Sequence, residues 1–527
     1  MRRGHFSPDD LPAWCALNDV AFVDVKVADI SGRGYGLIAE RDLPGNEDEN
    51  VELPALLTVP KDLVLSAEGV EEYAKENKDF RQLLDIAGHK STRGDILLFL
   101  MVQLVLSSPD YDGGLGPSTP WTQYFSLLPS QVPSPTMWTE PELSLLNGTS
   151  LESAVSAKLT MLTKEFDDLR AKVADLPYWN ELLSIDRSVT IQDWIRLDAL
   201  YRSRSLGLPK SGESMVPCLD LVNHSSQATA YFDENSKGDV VLYLRDLCAV
   251  SCGGEITIDY GKEKSPAEML FSYGFVDTDT TARSLVLPLE PLDDDPLATA
   301  KLHVFGTQPK LELVEDENGI PNWSAPFAYL MCLNEEDGLQ FRVLQETDGS
   351  RHLKMFWQDA DVTDAPNTIK ELIQDHELYQ IFELRVITIV LNIIEQQLQE
   401  LSEGRDGAKA PGSVKEEIWQ AVSHLKSLER SVLDRCYQVL KEQVSLTLAA
   451  ILDIQISLEI ELNNSLSFLP CSAGHGRSTS HGYDTYLLVT TIPQMAQLLE
   501  HDTVVEYLRS DQNDITAEAA NEEEDFS

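Results

Sequence analysis

The sequence predicts an α+β protein with a strand-rich first half and a mostly helical second half. Short runs at 22–27 and 255–260 alternate polar and apolar residues, which is typical of half-buried strands. From Ser91, and again from Ile369, apolar residues recur at the spacing of a helix. The chain has 527 residues, of which 43% are hydrophobic, so it is too long for one ordinary core and predicts two large domains.

The charge balance limits the classes of partner. The chain has 87 acidic and 41 basic residues, a net charge of −46. Such a surface repels nucleic-acid phosphates and attracts basic proteins, so we expect a basic protein partner and no nucleic acid. Solubility alone would explain the charge equally well.

The remaining composition suggests a compartment. Seven widely scattered cysteines fit a reducing environment rather than a disulfide framework. Cys248 and Cys252 are the closest pair, and no second pair accompanies them, so we predict no zinc site. No signal peptide and no membrane-spanning run is visible. We therefore expect a cytoplasmic or nuclear monomer that makes no use of a membrane.

A glycine-rich turn joins two predicted strands near the N-terminus. Ser7 can cap a short helix over 7–18, and the alternating run at 22–27 follows. The glycines of the turn at 32–36 allow positive φ angles and a close approach of the backbone to a ligand. An ordinary hairpin would explain the turn by itself, and the absence of a following helix excludes a dinucleotide fingerprint. Its meaning depends on motifs further along the chain.

Residues 91–194 predict a mostly helical insert that divides the strand-rich core. Its aromatic residues, such as those at 121–125, are better suited to a core than to ligand contacts. A helix predicted over 191–206 leads back into the core. Arg202 and Arg204 lie near its end, where a basic side chain complements the helix dipole.

Polar and aromatic residues then cluster between Met215 and Phe275. The pair Asn223-His224 ends an apolar run, and Tyr260 ends the second alternating run. Tyr273 and Phe275 follow a short helical segment. An Asn-His pair alone is usually structural, but a strand-terminal tyrosine 36 positions after His224 favours a functional site.

Four motifs in this order resemble the SET domain of protein-lysine methyltransferases. The resemblance is to the branch of the Rubisco large-subunit methyltransferases and the fungal ribosomal-protein lysine methyltransferases, and it covers roughly residues 20–280. This branch usually has phenylalanine where this chain has Leu206. The four motifs are Gly32–Ala39, Ser203–Ser205, Asp220–Ser225 and Glu255–Gly261.

The resemblance implies a fold and a site. The fold is a β-rich pseudoknotted SET core with a helical insert, followed by a mostly helical C-terminal domain that serves substrate binding. The segment with Tyr260 is expected to pass beneath a loop near Asn223, and such threading is rare in proteins. A helical domain without a partner remains an alternative for the C-terminal part. The implied domains are 14–90 and 195–280 for the two halves of the core, 91–194 for the insert, 290–505 for the C-terminal domain and 506–527 for a disordered acidic tail.

The resemblance also assigns roles to residues. Tyr260 is the catalytic residue, and S-adenosylmethionine is the cofactor. Asp220 either binds the incoming lysine or braces its loop. The implied cofactor contacts are Gly34, Tyr35, Gly36, Arg204, Asn223 and His224. The implied contacts to the substrate lysine are Asp220, Tyr231, Tyr273 and Phe275.

These residue types suit methyl transfer to an amine. A free lysine is almost fully protonated at neutral pH, and an apolar channel lowers its pKa. The faces of Tyr273 and Phe275 can also hold the cationic product. We therefore predict a protein-lysine N-methyltransferase for a basic, non-histone protein such as a ribosomal protein or an elongation factor. The alternative is a non-catalytic SET-like scaffold that binds a basic partner.

Overall fold

The protein is described by a computed structural model. The predicted tail at 506–527, together with 467–505, lies outside the residues that the structure describes. Side chains are described as far as Leu452. The described residues are 6–45, 54–111, 118–278, 283–292, 294–316, 319–345, 350–403 and 414–466.

The chain divides into two compact units. Unit 1 comprises Met1–Leu287, Glu312–Asn322 and Gln396–Leu433. Unit 2 comprises Pro288–Leu311, Trp323–Glu395 and Asp434–Ser527.

The described part of the first 260 residues contains ten strands. They form two four-stranded sheets, in the orders β1-β4-β9-β8 and β2-β3-β10-β7, and the hairpin β5-β6. Their bounds are β1 Ala21–Phe22, β2 Val25–Ile30, β3 Gly34–Ala39, β4 Ala55–Val59, β5 Ser205–Leu208, β6 Gly212–Met215, β7 Asn223–His224, β8 Ala230–Glu234, β9 Val240–Leu244 and β10 Glu255–Ile258.

Strand β10 lies between β3 and β7. It runs antiparallel to β3, where Ile256 is opposite Leu37. It runs parallel to β7, where Thr257 is opposite Asn223. Leu37 and Ile256 are fully buried, which fixes the register because a slip of one residue would expose both. The pairing brings the Asn-His motif alongside the end of β10, directly before Tyr260.

Helices cover the sheets of unit 1. The fourth helix begins after Ser91, whose hydroxyl accepts a hydrogen bond from the Gly94 N–H, and it is buried continuously from Ile96 to Val105. The predicted insert at 91–194 contains α4 to α8. The bounds are α1 Leu11–Leu17, α2 Ala67–Glu76, α3 Lys78–Ala87, α4 Thr92–Leu106, α5 Pro120–Leu127, α6 Glu140–Leu143, α7 Ser150–Lys172, α8 Pro177–Asn180, α9 Ile191–Arg204 and α10 Pro266–Tyr273.

A smaller apolar cluster in unit 1 surrounds Leu146, Leu270 and Leu425, and a larger one combines side chains from both sheets and from the helices α1 to α5 and α7 to α9. The insert aromatics Trp121, Tyr124 and Phe125 are buried in it, which confirms that they belong to the core. Burial of side chains of this size is the largest favourable contribution to folding.

The rest of the chain combines sheets and helices. Sequence analysis predicted a mostly helical domain over 290–505 and did not anticipate the sheet β14-β15-β16, because β14 exposes Val343 and Leu344 in succession instead of alternating. Strands β11 to β13 also form a sheet. The bounds are β11 Ser284–Pro288, α11 Ala298–Phe305, β12 Lys310–Glu315, β13 Pro321–Ser324, α12 Pro326–Cys332, β14 Leu339–Gln345, β15 Arg351–Trp357, β16 Ala360–Asp361, α13 Ile369–Ile373, α14 Tyr379–Glu403 and α15 Glu416–Leu466.

Two kinds of feature are absent from the described ranges. No helix in them is both long enough and apolar enough to span a bilayer. Nor do they contain a group of three or more metal-ligating side chains placed to hold an ion.

Candidate active site

The glycine turn between β2 and β3 lies against the Asn-His motif. Gly34 has a φ of +73°, a conformation that side chains other than glycine rarely adopt. Gly36 has an ordinary φ, but there is no space for a side chain at this position. A Cβ atom there would lie 2.5 Å from Ile30 Cδ1 and 2.6 Å from Asn223 Nδ2. Glycine at position 36 therefore permits the contact between the turn and Asn223.

Both polar side chains of the Asn-His motif have protein partners. The Asn223 amide donates to Glu255 Oε1 at 2.9 Å. His224 Nδ1 accepts a hydrogen bond from the Tyr260 N–H at 3.1 Å, and its Nε2 lies 3.1 Å from Asp277 Oδ2. Because Nδ1 accepts, Nε2 carries the proton and donates to Asp277. The imidazole of His224 thus joins the backbone of Tyr260 to the side chain of Asp277.

Sequence analysis missed two residues that hold this arrangement. Arg33, in the turn, donates to Glu255 Oε2 at 2.6 Å and also to the carbonyl oxygen of His224. Glu255 therefore joins the turn to Asn223, with one carboxylate oxygen for each partner. A signal was available, since Arg33 and Glu255 both lie inside the quoted motifs, but their spacing of 222 residues hides the pairing.

Tyr260 directs its phenol towards the backbone beside the Asn-His motif. Its hydroxyl donates to the Val222 carbonyl at 2.8 Å. Its ring centroid lies 5.2 Å from that of His224 and 4.6 Å from that of Tyr273. Burial raises the pKa of Tyr260 well above its ordinary value, because the buried phenolate would lose its hydration. Tyr260 is therefore a neutral phenol at physiological pH.

Tyr273 and Phe275 flank a tight turn after α10. Gly274 between them ends the helix with a φ of +83°. The ring centroids of Tyr273 and Phe275 are 6.1 Å apart, and that of Phe275 is 6.0 Å from His224. Burial raises the pKa of Tyr273 to about 12. The predicted aromatics therefore come together with Tyr260 in one cluster.

A cavity of about 130 Å³ opens beside this cluster. The structure places Phe232, and not the predicted Tyr231, on its wall. The reason is the alternation of β8, since neighbouring side chains of a strand point to opposite faces. Tyr231 instead packs against Tyr243, with ring centroids 5.6 Å apart. The lining includes Arg204, Asp220, Val222, Phe232, Tyr260 and Tyr273.

Arg204 and Asp220 form a buried ion pair on the cavity wall. Arg204 Nη1 donates to the carbonyl oxygen of Asp220 at 2.9 Å and to its Oδ2 at 3.1 Å. The Tyr124 hydroxyl donates to the other carboxylate oxygen and accepts from the Cys218 N–H. The Asp220 side chain is only 1% exposed. Of the two predicted roles for Asp220, this geometry fits the brace, and Arg204 lies on the cavity wall.

The structure thus sorts the predicted site residues into two groups. We call Gly34, Gly36, Asn223 and His224 the cofactor end, after the role that the resemblance implies for them. We call Arg204, Asp220, Tyr260 and Tyr273, which line the cavity, together with Phe275, which contacts Tyr273, the acceptor end. Tyr260 belongs to both by contact, through His224 and Tyr273. Tyr35 is 43% exposed, and its side chain is in neither group.

Comparison with known proteins gives several matches, although no family model matches the chain. The fission yeast SET domain-containing protein 8 is 31% identical over 337 residues, which are 62% of this chain and 73% of that protein. The Rubisco large-subunit N-methyltransferase of pea is 26% identical over 312 residues, 56% of this chain and 58% of the enzyme. Mouse actin-histidine N-methyltransferase is 22% identical over 348 residues, 64% of this chain and 54% of the enzyme.

The solved structures agree with these matches at the level of the fold. A crystal structure of the SET domain of LSMT, bound to methyllysine and AdoHcy, superimposes with a TM-score of 0.60 at 19% identity. The superposition covers 84% of this chain and 93% of that one. It confirms the predicted α+β SET fold. The fission yeast match, at 31% identity over 73% of that protein, shows that the chain belongs to the SET-domain family that includes the Rubisco large-subunit methyltransferases.

Proposed function

We propose that this chain transfers a methyl group from S-adenosylmethionine to a lysine of another protein. One observation supports the proposal most strongly. The neutral phenol of Tyr260 lies on the wall of the cavity, and this residue contacts His224 through its backbone N–H and its ring and contacts Tyr273 through its ring. The pea relative is named as an N-methyltransferase, and the solved SET domain of LSMT is bound to methyllysine and AdoHcy. Both agree with a site of this kind.

The cofactor end fits the methionine part of S-adenosylmethionine. Nothing lies within 4 Å of the position that a Cβ atom would take at Gly34, so a ligand can approach the backbone there. Gly34, Gly36 and the backbone of Asn223 and His224 would hold the cofactor there. When bound, S-adenosylmethionine supplies an electrophilic methyl group on a sulfonium. Arg33 and Glu255 keep the turn and Asn223 in place for it.

The acceptor end suits a neutral amine. The reaction is a displacement, in which the amine nitrogen forms a bond to the methyl carbon while the carbon–sulfur bond breaks. Tyr273 and Phe275 provide apolar walls that disfavour the ammonium form of lysine. Holding the two reactants in line makes the step effectively unimolecular, which is the largest gain available to such an enzyme.

Tyr260 orients the amine and does not act as a base. A phenol with a raised pKa stays protonated at neutral pH, and its proton is donated to the Val222 carbonyl. The hydroxyl oxygen then offers lone pairs to the acceptor nitrogen or to the methyl group in transit. The aromatic faces of Tyr273 and Phe275 favour the cationic product as it forms.

We further propose that the acceptor is a basic, non-histone protein, such as a ribosomal protein or an elongation factor. The net charge of −46 supports a basic partner. We expect the chain to act as a monomer in the cytoplasm or nucleus, with the C-terminal helices contributing to partner binding. The scaffold alternative would leave Tyr260 or the Asn-His motif free to change, yet both are present and assembled.

The test uses the purified full chain with methyl-labelled S-adenosylmethionine. Fractionated ribosomal proteins and histones are offered as acceptors, and hydrolysed labelled bands are analysed for methyllysine and methylhistidine. We expect methyllysine in a basic ribosomal fraction. Cofactor binding without transfer to any acceptor would favour the scaffold. Methylhistidine would overturn the assignment of the acceptor, and absence of both binding and transfer would overturn the proposal.

A further inference from the structure

We propose that Arg202 is a positioning residue. Through the backbone of the turn after α10, it sets the width of the acceptor channel, by which we mean the space between Tyr260 and the rings of Tyr273 and Phe275. The inference rests on the proposed function, because it concerns the walls formed by Tyr273 and Phe275. Sequence analysis gave Arg202 only a general role at a helix end. The structure instead places its side chain among contacts that converge on the turn.

The first set of contacts holds the last turn of α10. Arg202 Nη1 donates to the Phe271 carbonyl oxygen at 2.5 Å. The guanidinium carbon lies 4.4 Å from the centroid of the Phe271 ring. Phe271 is two residues before Tyr273, so its carbonyl belongs to the same helical turn. Arg202 thus fixes both the backbone and the side chain at the base of the channel wall.

The second set holds the segment on which the turn rests. Arg202 Nη2 donates to Thr136 Oγ1 at 2.7 Å and lies 3.4 Å from Ser134 Oγ. The neighbouring Pro133 touches the turn directly, since a Cβ atom at Gly274 would lie 2.6 Å from its carbonyl carbon and oxygen. One guanidinium therefore joins the two segments that enclose Gly274.

Arg202 is itself held by a buried carboxylate. Its Nε donates to Asp198 Oδ2 at 2.8 Å, and the Asp198 side chain is fully buried. Arg93 and Lys158 also contact Asp198, at 2.6 and 3.0 Å. Burial alone would raise the pKa of Asp198, but these three cations lower it, so the carboxylate stays charged.

This geometry requires an arginine. The planar guanidinium has five N–H donors in a fixed fork, and here it serves Asp198, Phe271 and Thr136 in three directions at once. A lysine ammonium at the same position could keep the charge but could not reach all three. Without the guanidinium, the turn would lose these hydrogen bonds. The rings of Tyr273 and Phe275 would then be able to move relative to Tyr260.

The experiment compares Arg202→Met and Arg202→Lys with Glu165→Gln as the matched control. Glu165 accepts two hydrogen bonds from Arg93 at 2.9 and 3.0 Å, so its variant loosens the same buried network without contacting α10. For each variant we would measure the acceptor kcat/KM, the cofactor Kd, the mass spectrum of the methylated product, the Tm, and hydrogen exchange of peptides covering 269–277.

We expect Arg202→Met to lower the acceptor kcat/KM by roughly 10- to 100-fold, as displacement of a positioned group does. The cofactor Kd should stay within about twofold, since the described contacts of Arg202 do not include the cofactor end. The product should shift towards more methyl groups per lysine, and exchange should rise at 269–277. Arg202→Lys should recover only part of these effects, and Glu165→Gln should show none beyond its loss of Tm.

Two results would overturn the inference. In the first, Arg202→Met gives the same number of methyl groups per lysine as the wild type, and the kcat/KM values of Arg202→Met and Glu165→Gln fall in proportion to their losses of Tm. The other is exchange that rises throughout unit 1 alike in both variants. If Arg202→Met fails to fold, Thr136→Val is used instead, because it removes a single partner of Arg202. We expect it to change the acceptor kcat/KM, the product pattern and the exchange at 269–277 in the same directions but by less. A wild-type chain without transferase activity would refute the proposed function, while the exchange comparison would still decide whether Arg202 holds the turn.

Discussion

The two ends of the candidate site are built from different materials. The cofactor end is a backbone structure, in which the paired strands β3, β10 and β7 place the glycine turn and the Asn-His motif side by side. The acceptor end is a side-chain structure. It contains the buried pair Arg204–Asp220 and a cluster of rings, and we propose that the pair Arg202–Asp198 holds the turn beside them.

This difference implies different sensitivities. A site that is formed by paired strands tolerates substitution of its exposed side chains. It does not tolerate an atom added between the strands, because the strands cannot separate without losing their hydrogen bonds. A site made of buried side chains is sensitive to removal of any one partner, since the remaining buried charge or donor is left unsatisfied. The predictions below test this contrast.

The largest effect is expected at Tyr260. Tyr260→Phe removes the hydroxyl that we propose orients the amine, and it leaves the ring in contact with Tyr273. We expect kcat to fall on the order of 100-fold, as loss of one oriented hydrogen-bonding group at a reaction centre does. The cofactor Kd, measured by calorimetry, should not change. Tyr243→Phe is the control, because Tyr243 is outside the cavity. Full turnover by Tyr260→Phe would contradict the proposed role of the phenol.

A smaller effect, confined to the cofactor end, is expected from Gly36→Ala. The added Cβ atom would overlap Asn223 Nδ2 and Ile30 Cδ1. We expect the cofactor Kd to rise roughly tenfold, a cost of about 1.4 kcal/mol, within the range for overpacking a tight site. Gly207→Ala is the comparison, since nothing lies within 4 Å of its new atom. Equal cofactor affinities of the two variants would show that the close approach at Gly36 is not needed.

A still smaller effect is expected from Arg33→Ala. The Arg33 side chain is 42% exposed and its ion pair with Glu255 is partly screened by water. Pairs of this kind contribute about 0.2–1 kcal/mol, so we expect the cofactor Kd to rise about two- to fivefold. The difference from wild type should shrink in 0.5 M salt. A loss as large as that of Gly36→Ala would mean that the turn depends on this side chain, contrary to the backbone description.

No effect at all is expected from tyrosine ionisation over the usual pH range. Burial raises the pKa of Tyr273 to about 12, and that of Tyr260 further, so both phenols stay neutral below pH 10. The value of kcat/KM should therefore rise with pH as the acceptor amine loses its proton, without a decline up to pH 10. A pH profile of kcat/KM on a lysine peptide measures this. A decline between pH 8 and 10 that disappears in Tyr273→Phe would refute the neutral channel.

Much of the local structure was predictable from pattern. The helix predicted from Ser91 is α4, and the helix predicted over 191–206 is α9, because apolar spacing and capping residues act within one element. The strand at 255–260 is confirmed over Glu255–Ile258. The sheet β14-β15-β16 was missed because its first strand does not alternate.

The order and spacing of the residues were enough to show which chemical groups are available and which family they belong to. Tyr260, the Asn-His motif and the glycine turn identify the SET family without coordinates. The tertiary structure alone decided their partners: Arg33 with Glu255, Tyr124 with Asp220, and Phe232 in place of Tyr231 on the cavity wall. The physical reason is sequence separation. The first two pairs are 222 and 96 residues apart, and contacts at that distance are set by how whole strands and helices pack, which no local pattern encodes.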